Sequence, residues 1–321
     1  MKLTRVGILH GGPSSEYEVS LKTAKSVKKN LPVHYEAVDI FVDKKGDWHV
    51  HGLKKSPHDA VKHLDVIFNA MHGEYGEDGT VQGLLDNFGV PYTGSGKFAS
   101  AVAMNKALSK EVYKKNGLKT PLSVVVEKGA VTTEFLHKLH RSFPFPVVVK
   151  PVGKGSSVGI SIAKTLPKLI EGLELAFSYG DRVLLEEFIA GREATCGVIE
   201  QFRGKKIYSL PPVEIRKPKT SSFFDFDAKY GGTSEEICPG NFSEKEKKEI
   251  ERMAVEAHKA LGLLHYSRSD FIVTPRRGIY ILETNNLPGL TEESLLPKSL
   301  NAVGATLNLF LDHLITLALH K

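Results

Sequence analysis

The 321-residue chain contains only two cysteines, Cys196 and Cys238. They cannot build a disulfide framework and match neither a zinc nor a redox spacing, so a reducing cytoplasm is the expected setting. No uninterrupted apolar run is long enough to span a bilayer. The closest, residues 302–319, is broken by Asn308, Asp312 and His313 and reads as an amphipathic terminal helix, so no membrane insertion is expected. The opening M-K-L-T-R-V-G-I-L leads straight into a strand-like segment, without the apolar region or cleavage site of a signal peptide. Internal repeats and low-complexity stretches are absent, as is the Walker A spacing. The net charge of +6 comes largely from lysines scattered over helix faces such as residues 243–261. With no nucleic-acid motif beside them, binding of DNA or RNA is not expected. What remains, 41% hydrophobic and 25% charged residues, is ordinary for a globular protein of two or three domains.

The chemistry-bearing residues are densest in the last third, where residues 267–294 contain S-R-S-D-F-I-V-T, then G-I-Y-I-L-E-T-N-N-L-P-G-L-T-E-E-S. Apolar runs at 271–274 and 279–282, split by P-R-R-G, predict a hairpin of buried strands. Asp270 precedes the first run, and Glu283 and Asn285 follow the second. Antiparallel pairing brings the three together, with Glu283 and Asn285 on one face of their strand. Three hard oxygen donors at one sheet end suit Mg²⁺, which holds few carboxylates and keeps positions for phosphate oxygens. Carboxylates among apolar strands would be costly to bury without a cation.

Upstream, a strand at 5–9 ends in H-G-G-P-S-S before a Lys/Ala-rich helix. Strand, glycine turn and helix start aim backbone N–H groups at an anion, a generic opening of nucleotide folds. Glu16 and Glu18 flank this start, and Glu18 favours the first turn electrostatically. A second unit follows: a strand at 65–71, the loop H-G-E-Y-G-E-D-G, a helix at 81–88, and V-P-Y-T-G opening another strand at 90–94. The alternation predicts a parallel, doubly wound sheet with loops gathered at its C-terminal edge. One helix is predicted over 99–116, closed by Gly117, and its Lys106 reads as a surface lysine. The apolar strand 145–150 ends in Lys150 and runs into P-V-G-K-G-S-S-V-G. That stretch is either a hairpin turn or a cover over a triphosphate, and the lysine ending an apolar strand favours phosphate. The strand V-L-L-E-E-F-I at 183–189 can offer exposed backbone to an adenine edge beside a carboxylate. Proline-rich, aperiodic residues 211–240 predict a lid. Ser243-x-x-Glu246 predicts a capping box on a helix whose Ile250, Met253, Ala254, Ala257 and Leu261 face the core.

The segments G-G-P-S-S-E-Y-E-V-S, H-G-E-Y-G-E-D-G-T-V-Q-G, P-Y-T-G-S-G, V-K-P-V-G-K-G-S-S-V-G, D-A-K-Y, S-R-S-D-F and E-T-N-N-L-P-G-L-T-E-E-S occur in this order from Gly11 to Ser294. In this the chain resembles the D-alanine–D-alanine ligases of the ATP-grasp superfamily. The resemblance implies an α/β ATP-grasp fold behind an N-terminal Rossmann-like (pre-ATP-grasp) parallel-sheet domain. The expected bounds are 1–98 for that domain, 99–189 for a central nucleotide-clamping domain, and 190–321 for a C-terminal domain with metal site and lid. It implies a cytoplasmic homodimer that uses ATP to join two D-alanines through an acylphosphate, for peptidoglycan precursors.

By the same resemblance, Asp270, Glu283 and Asn285 hold two Mg²⁺, with Mn²⁺ as a substitute. Lys106, Lys150, Gly155, Ser157 and Lys229 meet phosphates. Glu186, Glu187, Phe188 and Ile189 meet the nucleotide base, and Glu193 the ribose. Glu16 anchors the first ammonium group with His72 close by, Arg268 and the Gly289 amide receive the oxyanion, and Ser294 binds the second carboxylate. Tyr230 ties the lid to Ser156 and Glu16. The chain departs from the family pattern at Phe224, where many members have tyrosine, and at Ser269, usually apolar and expected to loosen its strand. The intact A-K-Y argues against relatives that use D-lactate. A different second substrate such as D-serine, or a nucleotide-binding protein without turnover, are the other readings.

Overall fold

The computed structural model describes residues 3–155, 158–216 and 235–320. At the N-terminus β1 (Thr4–Gly11) lies between two parallel neighbours, β2 (Tyr35–Val42) and β5 (Val66–Asn69). The last six residues of β1 and all of β5 are buried, as expected of parallel strands covered on both faces. Short antiparallel strands β3 (Trp48–Val50) and β4 (Leu53–Lys55) extend the sheet beyond β2. Helix α1 (Tyr17–Asn30) buries Ser20, Thr23, Ala24 and Val27, the i, i+3, i+4, i+7 stripe of an amphipathic helix. The turn before it requires glycine: Gly11 has φ +88°, and a Cβ there would sit 2.1 Å from the Val42 carbonyl oxygen. Helices α2 (Pro57–Val61) and α3 (Thr80–Phe88) flank β5. The strand predicted at 90–94 reduces to one bridge, Ile67 with Tyr92, because Pro91 has no N–H to donate and Gly94 turns away at φ +95°.

The helix predicted over 99–116 is two, α4 (Lys97–Met104) and α5 (Lys106–Lys115). Asn105 breaks it: its side-chain oxygen accepts from the backbone N–H groups of Ala107 and Leu108, both at 3.1 Å, and caps α5. An antiparallel sheet follows, in the order β6 (Ser123–Glu127), β9 (Arg182–Glu187), β7 (Val147–Pro151), β8 (Ser161–Ala163), with α6 (Thr133–Ser142) and α7 (Leu166–Phe177) between its strands in sequence. Its core joins Val126, Leu139, Val149, Leu173 and Leu185.

The third sheet is antiparallel throughout. It contains β10 (Arg192–Glu200), β11 (Ile207–Ser209), β12 (Val213–Arg216), β13 (Glu235–Ile237), β14 (Tyr266–Thr274) and β15 (Gly278–Asn285). Helix α8 (Glu244–Ala260) starts with both hydrogen bonds of a Ser243/Glu246 capping box and buries Ile250, Met253, Ala254 and Ala257. Tyr113 and Leu118 pack in the same core as these residues and Phe271. After α9 (Leu295–Ala302), α10 (Leu307–Leu319) packs Phe310 and Leu314 with Val6, Ile8 and Phe68, so the end of the chain covers the first sheet. No single helix among the described residues is long and apolar enough to cross a membrane.

Candidate active site

The β14–β15 hairpin places Arg268 opposite Asn285, Ser269 opposite Thr284 and Asp270 opposite Glu283, and a bulge after Asp270 shifts the register. Such a bulge re-aims side chains at a strand end. The Asp270 carboxylate accepts from the Thr195 hydroxyl at 2.6 Å and from Arg268 Nε at 3.3 Å. Beneath it, the buried hydroxyls of Ser269 and Thr284 pair at 2.8 Å, and Tyr113 on α5 donates to Thr284 at 2.8 Å. Ser269 therefore does not loosen its strand. It is one link of a hydroxyl chain that ties the hairpin to α5, each polar group satisfied.

The hairpin forms part of the wall of a cavity of about 1010 Å³. Lys106 reaches it from α5 and is buried, at 7% exposure, not a surface lysine. Its ammonium donates to the Lys154 carbonyl at 2.6 Å and lies 3.4 Å from the Glu283 carboxylate. Lys150 enters from the end of β7 and pairs with Glu186 of β9. Lys110, which the sequence reading passed over, pairs with the same carboxylate and donates to Thr120 Oγ1 at 2.8 Å. Burial pushes the Glu186 carboxyl up, but the two ammonium groups outweigh it and hold it below the ordinary range. Burial pulls the Lys110 ammonium down, with Glu186 opposing. The available signal was spacing: Lys106 and Lys110 are four apart, and with Ser109 and Tyr113 they form the buried face of α5.

Across the cavity, Glu16 stands at the N-cap of α1, and a Cβ on Gly155 would lie 2.7 Å from its carboxylate. His72 is fixed at both ring nitrogens, by Thr23 Oγ1 at 2.8 Å and Glu77 at 3.1 Å. Burial raises the Glu77 carboxyl above its ordinary value; His72 opposes this and the nearby Glu16 charge adds to it. Ser294 at the head of α9 pairs with Thr291 Oγ1 at 2.8 Å and sits beside Gly289. Ser26 on α1 donates to the Leu290 carbonyl at 2.7 Å, which holds this loop against the N-terminal unit.

Glu16, His72, Lys106, Lys150, Gly155 and Glu193 thus share one cavity with Arg268, Asp270, Glu283, Asn285, Gly289 and Ser294. Glu186, Glu187, Phe188 and Ile189 are not on its wall. Glu186 lies behind Lys150, Glu187 pairs with Arg277 at 2.7 Å, the Phe188 N–H donates to the Pro146 carbonyl, and Ile189 packs with Ile272 and Tyr280. Ser156, Ser157, Phe224, Lys229 and Tyr230 lie outside the described residues. Two carboxylates and an amide oxygen fit Mg²⁺, and no group of three or more His, Cys, Asp or Glu that could hold a metal occurs among the described residues.

One antiparallel sheet thus supplies lysine from one side of a cavity, and a second supplies paired carboxylates and arginine from the other, beside a parallel-sheet unit. That arrangement defines an ATP-grasp ligase. Comparison with known proteins narrows the class: a family model described as D-ala D-ala ligase C-terminus matches residues 112–316, and one described as D-ala D-ala ligase N-terminus matches residues 5–60 and 51–95. The chain belongs to the D-alanine–D-alanine ligase family. It is 43% identical over 301 residues to the D-alanine–D-alanine ligase of Geobacter sulfurreducens, which covers 93% of this chain and 88% of the relative. The ATP complex of D-alanine–D-alanine ligase from Bacillus anthracis aligns with TM-score 0.82 and 33% identity, covering 99% of this chain and 98% of that one. The VanG D-Ala:D-Ser ligase from Enterococcus faecalis aligns with TM-score 0.85 and 28% identity, covering 99% and 100%.

Proposed function

We propose that the protein joins two D-alanines to D-alanyl-D-alanine with consumption of ATP, a step of peptidoglycan precursor synthesis. The single observation that carries this reading is the meeting of Lys106 and Lys150 with Asp270 and Glu283 in one cavity, within a chain of this family. The carboxylate of the first D-alanine takes the γ-phosphoryl group of ATP, giving an acylphosphate and ADP. The amine of the second then attacks the carbonyl carbon, the C–O bond to phosphate breaks, and phosphate departs.

Such a transfer needs charge neutralisation and positioning more than a covalent nucleophile. Two Mg²⁺, or Mn²⁺ in their place, held by Asp270, Glu283 and Asn285, would neutralise and align the phosphate oxygens. Lys106 and Lys150 reach the phosphates, with Gly155 and, by resemblance, Ser157 and Lys229 around them. Arg268 and the Gly289 N–H, both on the cavity wall, would receive the developing oxyanion. Glu16, with His72 behind it, holds the first ammonium group, and Ser294 the second carboxylate. Glu193 meets the ribose, while Glu186, off the cavity wall, acts on the nucleotide through Lys150. The assigned setting is the cytoplasm, and the assigned assembly a homodimer.

The test is phosphate release from ATP offered with D-alanine, L-alanine, D-serine or D-lactate, with and without Mg²⁺, the products identified by mass spectrometry. Release that requires D-alanine and Mg²⁺ and yields D-alanyl-D-alanine is expected. A product dominated by D-alanyl-D-serine would move the specificity, and no release under any pairing would overturn the reading.

A further inference from the structure

One ion pair beside the cavity has no part in the reaction just described. Lys154, in the turn after β7, lies 2.5 Å from the Glu74 carboxylate, in the loop after β5. The two side chains are 30% and 24% exposed. Glu74 also accepts from Ser14 Oγ at 3.2 Å, Ser15 Oγ at 3.2 Å and the Ser15 N–H at 3.4 Å, in the turn that leads to Glu16. Three segments distant in sequence are therefore gathered on one carboxylate. Burial pushes the Glu74 carboxyl up, but the hydrogen bond and charge of Lys154, together with backbone N–H groups, hold it below its ordinary value.

Each end of the pair is next to a group that the proposed reaction uses. The Lys154 carbonyl accepts from Lys106, and Gly155 lies against the Glu16 carboxylate. A fully exposed ion pair contributes little. This one is partly buried, shares its acceptor with three more donors, and spans two structural units.

We infer that Glu74 and Lys154 are positioning residues that clamp residues 151–155 to the N-terminal unit, and so set the spacing between the phosphate-binding lysines and the first amino acid. Neither residue touches the reacting atoms. The inference rests on the ligase reading and adds a consequence to it. With the clamp intact, the acylphosphate is held for the second amine. With it broken, water competes for the acylphosphate, returning free D-alanine and phosphate, and more than one phosphate is released per dipeptide.

The experiment is a double-mutant cycle in the full chain, with Lys154→Met, Glu74→Gln and the double variant. Lys154→Arg serves as the conservative variant, and thermal melting checks the fold. Each single change should raise KM for D-alanine and the excess of phosphate over dipeptide by about tenfold, and the double should be no worse than the worse single, because both remove the same interaction. Lys154→Arg should keep KM and the phosphate-to-dipeptide ratio near wild type. Singles indistinguishable from wild type, or a double variant whose effect is the product of the two, would overturn the clamp. Hydrogen exchange of residues 151–155 reads it without turnover. Exchange should quicken in both singles and no further in the double, and unchanged exchange would overturn the clamp even if D-alanine proved not to be the substrate.

Discussion

Glu186 is 1% exposed and carries two lysines, Lys110 and Lys150. Replacing it by glutamine would leave two buried ammonium groups short of a countercharge, and loss of one partner from a buried pair costs about 3–5 kcal/mol. Glu186→Gln should therefore lower unfolding stability by that order in a denaturant titration at neutral pH, as well as weaken ATP binding through Lys150. The sign with pH follows from the shift. The folded carboxyl is held below its ordinary value of 4.5, so its contribution is complete above that value and is lost as pH falls through the lower folded value. The acid-side loss assigned to this group should be missing from the glutamine variant; an identical profile and stability would contradict the assignment. Little of this was legible in the sequence. A strand ending V-V-V-K announces Lys150, but the carboxylate that pairs with it belongs to β9, and Lys110 looks like any helix lysine until the packing of α5 is known.

At the scale of elements, the hairpin was legible because its apolar runs and P-R-R-G turn fix the pairing as far as Phe271 and Ile281, whereas the bulge that brings Asp270 opposite Glu283 instead of Leu282 was not. The α1 helix after its glycine turn and the α8 capping box were legible on the same local grounds. The break between α4 and α5 was not. Asparagine inside a periodic run reads as a tolerated helical residue, yet here it caps a new helix and turns Lys106 toward the cavity. Asn105→Ala should cost about 1 kcal/mol of stability. It should also raise KM for ATP more than KM for D-alanine, since Lys106 is the side chain nearest the change, while Asn105→Asp should retain most of both. Wild-type stability and ATP dependence in the alanine variant would show that the cap does not set the lysine. The short β3 and β4, and the bridge that replaces a strand at 90–94, depend on hydrogen bonds to distant segments that periodicity does not encode.

At the scale of the whole molecule, the cavity is where the three sheets and their helices meet. The parallel sheet brings Glu16 and His72, the four-stranded sheet Lys150 and Gly155, and the six-stranded sheet Arg268, Asp270 and Glu283. Terminal helix α10 locks the end of the chain onto the first sheet through Phe310 and Leu314. The order of segments from Gly11 to Ser294 was readable, and with it the family; the convergence of those segments in space was not, because the contacts between units arise only on packing. The central claim is that one cavity activates the carboxylate of D-alanine as an acylphosphate and passes it to a second D-alanine. The direct measurement uses D-alanine labelled with ¹⁸O in both carboxylate oxygens and follows the label into the released phosphate. The account predicts that each phosphate carries one ¹⁸O from the carboxylate and that each dipeptide keeps one in its new amide carbonyl. Phosphate without label, formed alongside dipeptide, would contradict it.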